Sequence, residues 1–346
     1  MSSINGRMGQ AVAAPAARPD CPTCEEHTMH CMEVWGGNDA TRSAVAMPGV
    51  EIWAYAQPVH GDEQGGDIHY VSSCATGRIT RLLVADVSGH GEAVARAARD
   101  LRDLMRRFVN YIDQDRFVTS LNDEFSEMET EGMFATAAAA TFWGPTGRLT
   151  ISNAGHPRPF LYEAKSGRWR VLRQESSDFG GRITNLPLGV MGRTSYESME
   201  MEIEPGDMLL VYTDSLTESK DDAGRQLGED GLLRIVSSLP LDDSAAFIQG
   251  VLYGVASHRG GAAADDDITL VALRRSDAAP RYRRSLMDWV RFAREMGWSA
   301  ADAIRRRRRV FALPQMTLAN VGGAFLDGLN RRVRARGRDR DGRGGD

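Results

Sequence analysis

At 346 residues, with 42% hydrophobic residues and a formal net charge of −5, the chain is long enough for one sizeable core with extensions at both ends. No stretch approaches the roughly 20 uninterrupted apolar residues of a membrane span, and Met1-Ser2-Ser3-Ile4-Asn5 lacks the charged and apolar regions of a secretory leader, so a cytoplasmic protein is expected. Four cysteines suit a reducing compartment, and the basic C-terminal part, in which arginine almost wholly replaces lysine, gives no ground for specific nucleic-acid binding on charge alone.

In chain order, residues 1–20 are rich in Ala, Gly and Pro without an apolar period, and are expected to be disordered. Residues 21–49 form an extension carrying Cys21, Cys24, His27, His30 and Cys31. Cys-x-x-Cys followed by imidazoles is compatible with Zn²⁺, but structural zinc sites usually join two separated pairs, which favours free thiols here. Strand signals follow at Val50–Tyr55, Ile68–Ser73 and Thr80–Asp86. Glu92–Tyr111 has apolar residues at helical spacing (Val94, Ala97, Ala98, Leu101, Leu104, Met105, Phe108), and Arg116–Met128 repeats the pattern with Phe117, Leu121 and Phe125. Strands return at Phe134–Trp143, Leu149–Asn153, Phe160–Glu163, Arg168–Leu172, Ser198–Ile203 and Met208–Thr213. Two helices, Gly231–Leu239 and Asp243–His258, precede a closing strand, Ile268–Leu273. Residues 276–335 read as a basic helical extension in which Leu286, Trp289, Phe292, Ala293 and Met296 share one face among arginines. Such a helix can dock on its own domain, bind an anionic membrane or engage an acidic partner, with docking or partner contact favoured because it is short and carries no lipidation signal, and residues 336–346 are expected to be a disordered tail.

Four aspartates stand out because each sits where a predicted strand runs out: Asp67, Asp86, Asp214 and Asp266. Three adjoin near-continuous apolar runs, the mark of strands buried on both faces. Carboxylates converging on one rim must be solvated, paired or bound to a cation, and hard oxygen donors of this kind suit Mg²⁺ or Mn²⁺. For any one of them alone, capping a turn is the simpler role.

Taken together, Gly65-Gly66-Asp67, Ala85-Asp86-Val87-Ser88-Gly89-His90-Gly91, Phe134-Ala135-Thr136, Asn153-Ala154-Gly155-His156-Pro157, Pro187-Leu188-Gly189, Gly206-Asp207 through Thr213-Asp214 and Asp266-Asp267-Ile268-Thr269 resemble the successive motifs of the SpoIIE/RsbU-type branch of the PP2C protein phosphatases. The resemblance spans residues 50–275 and implies an α+β fold, an α-β-β-α sandwich of two antiparallel sheets with flanking helices. It implies two Mn²⁺ or Mg²⁺ ions about 4 Å apart that activate a water for direct attack on a phosphate monoester. Asp86 would bridge the ions with help from the Val87 carbonyl, Asp214 and Asp266 would complete one site, and Asp67 would act through water. Asp267, the rival to Asp266, would support the loop instead. His156 would orient phosphate, hold a further metal or protonate the leaving oxygen, with a histidine satisfied by turn hydrogen bonds as the simpler alternative; His90 has the same ambiguity.

Two positions depart from the family pattern: Tyr70 stands where many relatives have a second acid, and Ser215 where they commonly have glycine. No phosphate-clamping arginine is evident beside Asp67. The helix beginning at Glu92 would either pack the core or couple a partner to assembly of the site. The implied activity is phosphoserine/phosphothreonine hydrolysis on a phosphorylated regulatory protein, such as an anti-sigma-factor antagonist. The rival class is a phosphatase-like binding module with weak or no catalysis, against which retention of Asp86, Asp214 and Asp266 argues.

Overall fold

The computed structural model of the chain describes residues 25–29, 33–59, 62–74, 77–89, 91–128, 132–173 and 185–276. The first strands are β1 (Glu25–Thr28), β2 (Val34–Asp39), β3 (Thr41–Met47), β4 (Val50–Gln57), β5 (Gln64–Cys74) and β6 (Ile79–Val87). Helices α1 (Glu92–Arg107) and α2 (Gln114–Glu127) follow, then β7 (Ala135–Trp143), β8 (Arg148–Ala154), β9 (Phe160–Glu163), β10 (Arg168–Val171), β11 (Met199–Glu202) and β12 (Met208–Tyr212). The short helix α3 (Ser215–Glu218), α4 (Gly228–Ser237), α5 (Ser244–His258) and β13 (Ile268–Arg275) complete the described chain.

One sheet runs β1-β3-β4-β13-β12-β9-β10 and the other β11-β8-β7-β6-β5-β2. The named strand pairs are antiparallel except β1 with β3. Side chains alternate across a pleat, so each sheet buries two faces. Val71, Leu82, Val84 and Ala138 meet Ile52, Leu209, Val211 and Val271 between the sheets. On the far side of β5–β7, Leu83, Ala85, Ala137 and Ala139 lie under Val94, Leu101, Phe117 and Phe125 of α1 and α2. On the far side of the other sheet, Leu210, Tyr212 and Leu270 pack against Leu232, Phe247 and Val251 of α4 and α5. This is the α-β-β-α sandwich expected from the motifs, and burying each large apolar side chain contributes about 1.5–3 kcal/mol.

The N-terminal segment differs from its expected place outside the sandwich. From Glu25 onward it supplies strands to one end of each sheet: β1 and β3 extend the first beyond β4, and β2 pairs with β5 at the edge of the second. Val-Trp-Gly-Gly-Asn-Asp in β2 carries two glycines and two turn formers, so its local strand preference is weak and its pairing with β5 decides its conformation. The apolar stripe of α1 is core, with Val94, Ala97, Ala98, Leu101, Leu104 and Met105 all buried. The segment beyond residue 276, with the proposed basic helix, lies outside the described residues.

Candidate metal centre

Strand register builds the site. Asp67 of β5 lies opposite Asp86 of β6, which lies opposite Thr136 of β7. Directly opposed residues share a face, and the alternating Val71, Leu82, Val84 and Ala138 mark that face as the inter-sheet one. From the other sheet, Leu209 and Val211 lead with the same period to Thr213. The Thr213 hydroxyl donates to Asp67 Oδ2 at 2.7 Å and accepts from the Thr269 N–H at 3.0 Å, so one side chain joins the sheets and fixes Asp67.

Asp214 follows as the residue before α3, half-buried. Asp266 and Asp267 precede β13 and divide their tasks. Asp267 is buried and spends both oxygens on backbone, accepting from Val59 N–H at 2.7 Å and from Gly66 N–H. Asp266 is exposed, with one oxygen accepting from the Asp267 N–H at 2.8 Å.

The acids feel one another. Burial pushes Asp86 up to about 6, with Asp214, Asp266 and Asp267 adding repulsion. Asp67 is raised well above the usual carboxylate range, by burial first and against the opposing Thr213 hydrogen bond, with Asp86 and Asp267 contributing. Asp214 is raised by burial, then by Glu218 and Asp266. Among the described residues no three His, Cys, Asp or Glu side chains are placed as a ready-made metal cage, which differs from the full convergence expected of the four aspartates.

A cation fits this environment because it would relieve that repulsion, and because the backbone leaves room beside it. A Cβ added at Gly66 would stand 3.1 Å from the Val87 carbonyl oxygen and 3.7 Å from Asp86 Oδ1, so glycine keeps the cradle open. Gly66→Ala is expected to weaken Mn²⁺ binding about tenfold or more without unfolding the chain, as read by calorimetric titration. The protons on Asp86 compete with metal. Mn²⁺ affinity is therefore expected to fall as pH drops through about 6 and to level off above it, since the ligand form is the carboxylate. An affinity flat between pH 5 and pH 8, measured by the same titration, would contradict this placement of Asp86.

His156 meets the site through Thr136. It is buried, its Nδ1 is 2.9 Å from the Thr136 hydroxyl, and Asn153 grips its backbone by accepting the His156 N–H at 2.7 Å and donating to its carbonyl at 2.8 Å. Nε2 makes no hydrogen bond of normal geometry, although the Tyr212 backbone offsets part of the burial that holds its pKa down to about 3. A ring neutral at physiological pH suits positioning of Thr136, beside Asp86, and does not suit a general acid. His27, grouped in the sequence with the cysteines, instead bonds Glu33 at 2.8 Å and stacks on Trp35. Cys21, Cys24, His30, Cys31 and His90 lie outside the described residues.

Tyr70 lies on the face opposite Asp67, buried under α1 with its hydroxyl donating to the Ala98 carbonyl at 2.7 Å, so this departure removes no group from the acid cluster. Ser215 begins α3 with its hydroxyl 3.4 Å from that of Thr213. The sequence reading assigned no role to Thr213, Thr136 or Asn153, although each is quoted within a motif; a hydroxyl or amide next to a clustered acid or histidine is the signal that marks them.

A family model described as Stage II sporulation protein E (SpoIIE) matches residues 76–276, more than half of the chain. The chain is 25% identical over 146 residues to Protein IcfG of Synechocystis sp., covering 42% of this chain and 21% of that protein. It is 23% identical over 195 residues to Phosphoserine phosphatase RsbU of Bacillus subtilis, covering 56% of this chain and 55% of that protein. The chain thus spans about half or less of the length of these curated relatives. The solved RsbU and RsbW domains of Rv1364c from Mycobacterium tuberculosis match with a TM-score of 0.56 at 23% identity, over 70% of this chain and 64% of that one. That likeness is one of fold.

Proposed function

This chain belongs to the SpoIIE family, the SpoIIE/RsbU-type branch of the PP2C phosphatases, and on that premise we propose that it is a metal-dependent protein phosphatase that hydrolyses phosphoserine or phosphothreonine on a regulatory protein. The observation that carries the reading is the register of Asp67 with Asp86 at the rim where Asp214 and Asp266 also raise the Asp86 pKa. Asp86, Asp214, Asp266 and the Val87 carbonyl would hold Mn²⁺ or Mg²⁺, with Asp67 acting through a water. The ions would supply Lewis-acid chemistry, making water a nucleophile near neutral pH and offsetting the charge of the phosphate.

The chain's own residues prepare that chemistry. Thr213 holds Asp67 as an acceptor, and the Asp267 carboxylate accepts from the Gly66 and Val59 amides, so the start of β5 and the loop before it are tied to the turn that precedes β13. The Ser88 N–H donates to the Phe134 carbonyl at 2.9 Å and the Ser88 hydroxyl accepts from the Phe134 N–H at 3.0 Å, which pins the turn carrying the Val87 carbonyl to the start of β7. Neutral His156 supports Thr136 from behind. A small phosphorylated regulator of the anti-sigma-factor-antagonist kind is the substrate we favour, by analogy with the family. Phosphate release from matched phosphoserine, phosphothreonine and phosphotyrosine peptides in Mn²⁺ tests the class. Turnover of the first two is expected, and turnover of phosphotyrosine alone would overturn the assignment.

A further inference from the structure

Beside the aspartates, on the outer side of the sheet that carries Asp214 and Asp266, lies a pocket of about 410 Å³. Its walls are apolar: Leu216 from α3, Leu252 and Val255 from α5, and Ile268 from β13, with Arg259 and Asp266 supplying charge. The same turns build both places. Leu216 stands in the helical turn that Asp214 begins, Ile268 opens the strand that Asp266 precedes, and Val59, another wall residue, donates its N–H to Asp267. Asp266 belongs to the pocket and to the acid cluster alike.

We propose that this pocket is a specificity subsite that receives an apolar side chain of the phosphoprotein substrate, from a residue flanking the phosphorylated one. The inference rests on the phosphatase reading of the neighbouring acids. A phosphate bound at ions that Asp86, Asp214 and Asp266 would hold has this apolar concavity beside it, because Asp266 lines both places. The volume lies within the range of sites that enclose a small ligand, enough for a leucine, methionine or phenylalanine side chain. Arg259 is held at the wall, Nε donating to the Ala262 carbonyl and Nη1 to the Ser219 hydroxyl, both at 3.3 Å, which leaves guanidinium N–H groups for a carbonyl of the bound segment. A small aryl phosphate, by contrast, has no flanking residue to place in the pocket.

The test uses the full chain with Mn²⁺ and two readouts. Affinity is measured by fluorescence anisotropy on thiophosphoserine peptides, which resist hydrolysis, with each flanking position carrying leucine or glutamine in turn; p-nitrophenyl phosphate turnover is measured separately. Leucine at one flanking position is expected to raise affinity about tenfold or more. Ala256→Phe, which fills the pocket from α5, and Ala264→Phe, which fills it from the loop before β13, are each expected to abolish that gain while ester turnover stays within about twofold of the parent. Equal affinities for leucine and glutamine at every position, or a leucine preference that survives both filled variants, would overturn the subsite. Loss of ester turnover in the parent would overturn the phosphatase reading instead, because the affinity readout needs no turnover.

Discussion

Asp86→Asn is expected to lower Mn²⁺-dependent phosphoester hydrolysis by more than about 100-fold, because changes to groups that merely support a metal ligand typically cost 10–100-fold and Asp86 is placed as the ligand itself. The loss should come without unfolding. Asp86 titrates near 6 in the fold, above an ordinary aspartate, so in metal-free protein its charged form is disfavoured by burial and by Asp214, Asp266 and Asp267. For an acid with a raised folded pKa, this penalty appears as pH rises through the folded value, and a neutral amide removes it. The metal-free variant should therefore melt at the same temperature as the parent at neutral pH, or above it. Parent-like turnover in the variant would remove Asp86 from the site, and a loss of turnover tracking a fall in melting temperature would reassign it to the fold.

Arg81→Met is expected to have the largest effect on stability. Arg81 is fully buried on the helix-covered face of β6. Its Nε donates to the Thr141 hydroxyl at 2.9 Å, Nη1 to the Phe108 carbonyl at 3.2 Å and Nη2 to the Tyr111 carbonyl at 2.6 Å, with the guanidinium 3.9 Å from the centre of the Phe117 ring. These carbonyls lie just beyond α1, where the last turn leaves acceptors without helical partners. Burial lowers the pKa to about 10, so the group stays charged at neutral pH and satisfies several acceptors at once. Methionine fills similar space but removes the guanidinium's bonds to the Tyr111 and Val109 carbonyls and the Thr141 hydroxyl, at a cost of about 1–3 kcal/mol for each, whereas the Phe108 carbonyl keeps the Tyr111 N–H. A total of about 3–5 kcal/mol would lower the melting temperature by roughly 6–20 °C. A shift smaller than about 2 °C would show that water replaces the guanidinium there.

The layers and the acids were legible from the sequence for different reasons. Strands such as Leu82-Leu83-Val84-Ala85 and Met208-Leu209-Leu210-Val211 are apolar throughout because both faces are buried, and α1 shows its buried stripe directly. β7 is harder to read: Ala-Thr-Ala-Ala-Ala-Ala favours a helix by intrinsic preference, yet it is a strand, since small side chains let the sheets approach on one face and α2 on the other. β2 and β3 escaped because strands carrying glycine or polar residues are fixed by the neighbours they pair with rather than by their own composition. At the site, the identities of the acids were readable as residues ending strands, whereas their grouping depends on register across two sheets. The work of Thr213, bonded to an aspartate far away in sequence, has no local signature. For His156 the motif marked the turn correctly, but burial, which a sequence does not print, decides its charge. Arg81 looks in the sequence like any strand arginine, and only the fold shows that it is enclosed.

No helix among the described residues is long and apolar enough to cross a membrane. The most direct measurement follows phosphate release from a phosphoserine peptide by the full chain, first after exhaustive chelation, then on adding back Mn²⁺ or Mg²⁺, with Asp86→Asn run in parallel. The predicted result is negligible release after chelation, recovery with either ion in the parent, and no recovery in the variant although it remains folded. Release that persists after chelation, or a folded, Mn²⁺-bound parent that releases no phosphate, would contradict the assignment of this aspartate cluster as the catalytic centre of a metal-dependent phosphatase.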